Sequence, residues 1–570
     1  MVFRSSLNRL LEQLEGSRSC FSPGTARKVE VLLAEIGSHD FRSPSLLIRF
    51  HEALLFLRAF PQGSGVLRLT IRLLNTFHER VEALGRQGAD MEEFEPLEVS
   101  GIAGTVMEDT LGLDRARWLA RRFPGHVEID WGELEDERAL GATLPRFVPL
   151  LDEDAEVEAS IPWLCWLRSA QGRRASLLEW LIGRFDELRL ADREKAELYD
   201  SLRLPVQWKL GNLRLSRTRN WSRPRSVYYH QEPLIARKTV SLKEMLAEPG
   251  PLLERLPLRE GKAVMDMIRE VMLVRYRELY GTTLGDPRSV VRSKAGRGVV
   301  IYLWNLQPAR RLPLRAYLAG LTLKNGVPVN YIEAIGLCEW IEVGFNTFYT
   351  FRGGETAWIF AQVLRCLHRR MGAECISIYP YQIGQGNEEA LESGAFWFYR
   401  KLGFRPGRRD LLRLAEQEET RMAADPQHRT STRVLKRLAQ GHIFYDLPGS
   451  EPGAWDRFSL RNLGLRVNRR MGREFDGDSA RLRRSSAAMV GRALGVTCKR
   501  WSSPEQQAFA DWALVLALIP DLRRWTRQEK QDLVRLIRAK AGPNEMRYMR
   551  LTQGHTRLRR QLIRLGSGST

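Results

Sequence analysis

Ser393-Gly394-Ala395-Phe396-Trp397-Phe398-Tyr399-Arg400-Lys401-Leu402-Gly403-Phe404-Arg405-Pro406 reads as a short aromatic helix that ends at Tyr399 to Phe404 and turns directly into a strand. Upstream of it, Val299 to Trp304 is β-branched and aromatic, the composition of a strand. Arg315 to Lys324 alternates and meets Asn325-Gly326, a pair that tolerates positive φ and so predicts a tight hairpin, with Val327 to Leu337 as the returning strand. Trp340 to Phe351 is a third run rich in Val, Ile, Phe, Tyr and Thr. Arg352-Gly353-Gly354-Glu355-Thr356-Ala357 is a Gly-rich turn. Trp358 to Met371 has helical spacing, and Cys375 to Tyr379 is one more strand before the aromatic helix.

Strand, hairpin, strand, Gly-rich turn, helix, strand, aromatic helix resembles the central order of the GNAT superfamily of acyl-CoA N-acyltransferases. The likeness covers roughly residues 260–415. It implies an α+β architecture: a central GNAT-like mixed sheet flanked by mainly helical N- and C-terminal regions, divided as 1–250, 251–420 and 421–570. It also implies a chemistry. A Gly-rich turn that opens a helix presents unpaired N–H groups to the pyrophosphate of coenzyme A. An amine then attacks the thioester, a base takes its proton and an acid returns one to the thiolate. By position, Arg352, Gly353, Gly354, Thr356 and Ala357 would hold the donor, acetyl-CoA or another acyl-CoA. Tyr399 would be the acid, and Glu342 or Glu339 the base. Each has a plainer reading, Tyr399 as packed core and the two glutamates as solvated or paired carboxylates.

Two departures stand out. Where the family places an inner Gly, this chain has Glu355, whose charge opposes an anionic ligand. The expectation is that Gly353 and Gly354 supply the backbone freedom and that Glu355 turns outward. Pro380 to Leu391 is also a longer loop than the family uses. Two alternatives therefore stay open. One is a Fem-type transferase that takes aminoacyl groups from tRNA, and the other is a degenerate scaffold beside a nucleic-acid-binding tail.

The rest of the chain bounds the problem. Six scattered cysteines, with no Cys-x-x-Cys or His-Glu-x-x-His, indicate neither a metal site nor a disulfide framework. Met1-Val2-Phe3-Arg4-Ser5 lacks an apolar signal core, and the longest apolar run, Trp512 to Ile519, is too short to span a bilayer. A soluble cytoplasmic protein without membrane contact is expected. In the N-terminal region, Pro44 to Phe60 and Val66 to Leu84 read as amphipathic helices, Ser160 to Phe185 as helical, His126 to Asp130 as a lone strand, and Asp152 to Glu158 as an acidic loop; Ile102 to Met107 is not counted as a strand. Leu215 to Pro233, with Arg217, Arg219, Arg223 and Arg225 around Trp221, reads as a basic exposed linker or a nucleic-acid track. The chain carries a net charge of +21, and residues 421–570 hold 30 Lys and Arg against 13 Asp and Glu. There, Pro504 to Leu518, Thr526 to Ala541 and Glu545 to Leu565 read as helices, the last interrupted near Gly554. Such asymmetry suits a nucleic acid or other polyanion as partner; the plain alternative is solvated charge.

Overall fold

The alternating and apolar runs of the central region build a nine-stranded mixed sheet. The structure, a computed structural model, describes residues 2–22, 24–148, 163–172, 176–275 and 280–567, side chains of 2–6 excepted. The chain forms two units. One comprises residues 1–222 and 267–279, the other 223–266 and 280–570.

The first unit is not purely helical. Five helices lead it, among them Pro44–Ala59, which is buried along nearly its whole length. The run expected as one helix from Val66 to Leu84 is two, Ser64–Asn75 and Phe77–Arg86. β1 (Val106–Thr110), β2 (Val127–Ile129) and β3 (Pro205–Lys209) form an antiparallel sheet in the order β1-β3-β2. A strand thus begins at the end of the segment that was not counted as one, and the strand expected to be alone at His126 to Asp130 has a partner. The partner was missed because β3 lies some eighty residues downstream. Trp208, Phe185 and Tyr199 fill the core behind this sheet. Trp163–Ala170 and Leu177–Glu187 are helical within the expected 160–185 stretch. The acidic loop at Asp152 to Glu158 lies outside the described residues.

The larger unit contains β4 (Glu254–Arg255), β5 (Val291–Gly296), β6 (Val299–Asn305), β7 (Ala316–Lys324), β8 (Val327–Leu337), β9 (Trp340–Thr347), β10 (Cys375–Ile378), β11 (Arg405–Pro406) and β12 (Ile443–Asp446), in the order β11-β12-β10-β9-β8-β7-β6-β5-β4. Asn325 and Gly326 take φ of 48° and 78°, the hairpin geometry expected of that pair. Among the described residues only β9 and β10 pair in parallel. They are joined by helix α1 (Thr356–Met371), which returns the chain along one face of the sheet. The aromatic helix α2 (Ala395–Arg400) follows β10. The loop expected at Pro380 to Leu391 is ordered as a 3-10 turn, Pro380–Ile383, and the start of a short helix, Glu388–Glu392.

The C-terminal region does not stand apart from this sheet. β12, from a stretch read as helical, inserts between β10 and β11. Helices α3 (Leu460–Phe475), α4 (Ser479–Leu494), α5 (Glu545–Gly554) and α6 (Thr556–Gly566) follow, with α5 and α6 broken at His555 near the expected Gly554. The capping box of Thr526 and Glu529 forms as its spacing predicts. Tyr548 on α5 is fully buried and donates its hydroxyl to the Leu314 carbonyl. Lys540 Nζ reaches the Arg315 carbonyl at 2.7 Å. No helix among the described residues is long and apolar enough to cross a membrane.

Candidate functional site

In a sheet, directly paired residues present their side chains on the same face, and register therefore sorts the candidates. Glu342 pairs with Ser377 on β10, and Val343 with Ile378, the last such pair. β9 continues through Gly344 to Thr347, still paired to β8, while β10 has ended. The edge of β9 that faced β10 is thus unpaired from Gly344 onward. α1 runs antiparallel to β9, so its N-terminus lies at this open end.

Tyr399 lies on the α1 face. Its ring packs on Phe360 of α1 at 5.5 Å and on Phe404 at 5.7 Å between centroids, and Phe360 in turn packs on Phe345 of β9 at 4.9 Å. Tyr399 is 3% exposed, and burial holds its phenol well above the usual range. The packed-core reading of this residue is therefore realised, and the hydroxyl is protonated at every ordinary pH.

Glu342 lies on the opposite face. Its Oε2 is 3.0 Å from His442 Nε2, and its Oε1 accepts from Arg315 Nη1 at 3.4 Å. Burial alone would raise this carboxyl; His442 first and Arg315 second more than offset it, so it stays below the usual range. Glu342 and Tyr399 can act on one reacting centre only if that centre sits in the gap between β9 and the end of β10. Glu339 cannot join them. Rather than lying on the strand, it occupies the β8–β9 turn, at the far end of a β9 that is roughly 23 Å long. There Arg559 Nε and Trp455 Nε1 both donate to its Oε1 at 2.6 Å. Sequence order put it next to the strand, but strand direction puts it at the wrong end.

The Gly-rich turn departs most from expectation. Glu355 does not turn outward: it is fully buried beneath the turn. Arg297 Nε donates to its Oε1 at 2.9 Å, and Lys324 Nζ lies 3.1 Å from its Oε2. The Ile235 amide also donates to Oε1, at 3.3 Å. Burial would raise the carboxyl, but Arg297 and Lys324 keep it low. Lys324, itself without exposure, is pulled down to about 8 by burial against the opposing pull of Glu355. The inward rotation places the carboxylate against those two cations. Neither Gly353 nor Gly354 has positive φ, so the pair is not demanded by backbone strain. A Cβ on Gly353 would meet nothing within 4 Å, and the outer surface of the turn is open. Thr356, Ala357 and Trp358 begin α1, and their amides have no intrahelical acceptor. Arg352 pairs with Glu389 and lies over the Tyr349 ring at 5.2 Å. Arg237, between α1 and α2, donates to the Trp397 carbonyl at 3.5 Å and adds a cation that sequence position did not suggest.

Residues 215–222 are not an exposed linker. Arg217 is 3% exposed, pairs with Glu52 at 3.2 Å and donates to the Glu98 carbonyl. Arg223 and Arg225 are exposed. In the C-terminal region the arginines divide likewise. Arg557 pairs with Asp521 and Glu529, and Arg559 with Glu339 and Glu451. Arg469 and Arg473 on α3, and Arg481 and Arg484 on α4, are exposed. No cluster of His, Cys, Asp and Glu among the described residues is placed to hold a metal ion.

Compared with protein-family models, with curated proteins and with solved structures, the chain finds no match in any of the three.

Proposed function

We propose that the sheet-bearing unit is a GNAT-like N-acyltransferase that moves an acyl group from coenzyme A to an amine. One observation carries this reading: the lone parallel pair of the sheet parts beyond Val343 and Ile378, with the N-terminus of α1 and the aromatic helix α2 both at that open end. A thioester lying in the gap has its thiol side on the face of Tyr399 and its carbonyl open to an amine from the face of Glu342. The amides of Thr356 to Trp358, beneath the open surface at Gly353, receive the pyrophosphate, with Arg352 and Arg237 at the rim. Glu355 does not oppose that ligand, because Arg297 and Lys324 neutralise it below the turn.

Binding to the native state stabilises it by mass action, so millimolar acetyl-CoA raises the melting temperature if the reading holds. Desulfo-CoA, which keeps the pyrophosphate, does the same. No shift with either counts against the donor site.

A second reading keeps the fold and takes the acyl donor from tRNA. It is favoured by the pairing of Arg352 with Glu389 and by the exposed arginines of α3 and α4. Salt-dependent retention of tRNA by a chain indifferent to both coenzyme A probes supports it.

A further inference from the structure

His442 came from a stretch read as helical, yet it stands at the mouth of the gap. It directly precedes Ile443, which pairs with Ile378, and so falls opposite Tyr379 where β10 ends. Its ring meets the Tyr379 ring edge-on at 5.3 Å, and Tyr379 is half exposed. The imidazole retains access to solvent, its side chain being 29% exposed. On its buried side, Nε2 lies 3.0 Å from Glu342 Oε2. A carboxylate cannot donate, so Nε2 carries the hydrogen. The neutral tautomer then has its lone pair on Nδ1, and among the described residues no hydrogen bond engages Nδ1. Glu342 is itself fixed from its other oxygen by Arg315 at 3.4 Å, and the Arg315 backbone is held by Lys540. The charged and titratable groups facing this pair are therefore Glu342 from β9, Tyr379 from the end of β10, and Arg315 from the start of β7.

We infer that His442 is the general base of the acyl transfer and that Glu342 is its positioning residue, not the base. The inference rests on the acyltransferase reading above. Nδ1 of His442 takes the proton from the attacking amine as the C–N bond forms. The C–S bond then breaks, and the thiolate is protonated from the opposite face of the sheet. Glu342 fixes the tautomer, leaving Nδ1 as the acceptor, and stabilises the imidazolium that results. Glu342 is already engaged at both oxygens, by the Nε2 hydrogen of His442 and by Arg315, which makes it a poor proton acceptor. The partly exposed imidazole, with Nδ1 free of any hydrogen bond among the described residues, is the better placed group.

The test uses the full chain with acetyl-CoA and a set of primary amines (phenethylamine, spermidine and lysine), reading thiol release from pH 5 to 9. H442Q should lose about 100-fold or more in kcat, with KM for acetyl-CoA unchanged and the rise of rate through neutral pH abolished. E342Q should retain a titrating rate whose acid limb moves to lower pH, because the imidazolium has lost its carboxylate; a merely structural Glu342 leaves the limb where it was. H442Q with the wild-type rate and pH profile overturns the assignment alone. A wild-type chain that neither binds acetyl-CoA nor releases its thiol overturns the acyltransferase reading, and the assignment with it. Melting curves for both variants should match the wild type within a few degrees, since His442 is partly exposed and glutamine keeps the size and planar shape of Glu342, losing one of its two acceptors; a variant that fails to melt cooperatively is replaced by H442N or E342D and judged by the same readouts.

Discussion

Replacing Glu355 with Gln separates a carboxylate that opposes the donor from one that holds up the turn. The substitution keeps the shape and removes the charge that neutralises Arg297 and fully buried Lys324. Deleting one partner of a buried ion pair costs about 3–5 kcal/mol, because the remaining charge is stranded. Part of that cost depends on pH. In the native chain Lys324 is already pulled from 10.5 to about 8, a penalty of about 3 kcal/mol for carrying its proton while buried. Between those values the unfolded chain binds more protons than the folded one, so this group's contribution to stability rises with pH across that window. Without Glu355, Lys324 loses its proton at a still lower pH. The deficit of E355Q should therefore be largest near pH 6, shrink as pH rises to about 8, and level off at the share due to Arg297, which stays charged. Urea titration with hydrogen exchange, read on peptides covering β7 and the first turn of α1, measures it locally. A deficit below about 0.5 kcal/mol at pH 6, or one that grows toward pH 9, refutes the reasoning. Where the deficit is found as reasoned, substitution of Glu355 by Gly is expected to weaken the turn and not to open a donor site.

Three further outcomes follow from the geometry. Y399F removes only a hydroxyl from a ring fixed by Phe360 and Phe404; kcat falls about 100-fold at unchanged KM for acetyl-CoA if that hydroxyl protonates the thiolate, and an unchanged kcat leaves Tyr399 as core alone. G353E places a carboxylate where a Cβ meets nothing within 4 Å, so it should melt as the wild type does but lose the acetyl-CoA thermal shift through charge repulsion; a preserved shift places the pyrophosphate elsewhere. The fourfold variant R469S/R473S/R481S/R484S should elute from heparin at markedly lower salt with its stability intact, whereas unchanged elution removes α3 and α4 as a polyanion surface.

What the sequence disclosed and what it withheld divide along one physical line. Local signals were legible: the Asn325-Gly326 hairpin, the helix after the Gly-rich turn, the capping box at Thr526, and the aromatic helix ending at Tyr399 all depend on neighbours within a few residues. Pairings across long stretches of chain were not. β3 completes a sheet with β1 and β2 from about eighty residues away, and Lys324 and Arg297 meet Glu355 from two separate hairpins. Lys324 left one faint trace, a lysine closing an otherwise apolar strand just before the turn. His442 left another. Ile443-Phe444-Tyr445 is a β-branched and aromatic triplet between Gly441 and Pro448-Gly449, a strand signal overridden by the helical character of its surroundings.

β12 bears most on the site, because it brings His442 beside Glu342. With 421–570 read as a separate basic helical region, the resemblance offers Glu342 or Glu339 as the base by position alone. Once β12 is seen to lie between β10 and β11, Glu342 has an imidazole at 3.0 Å and an arginine on its other oxygen. A carboxylate so held orients and charges its neighbour better than it accepts a proton. The basic C-terminal region is then part of the site: it supplies His442 and, through Lys540, steadies Arg315. Cutting the chain at residue 421 would remove β12, a strand of the sheet, together with His442, so a loss of nucleic-acid retention in such a truncation says nothing about the tail alone, and point substitutions on α3 and α4 address that partner instead.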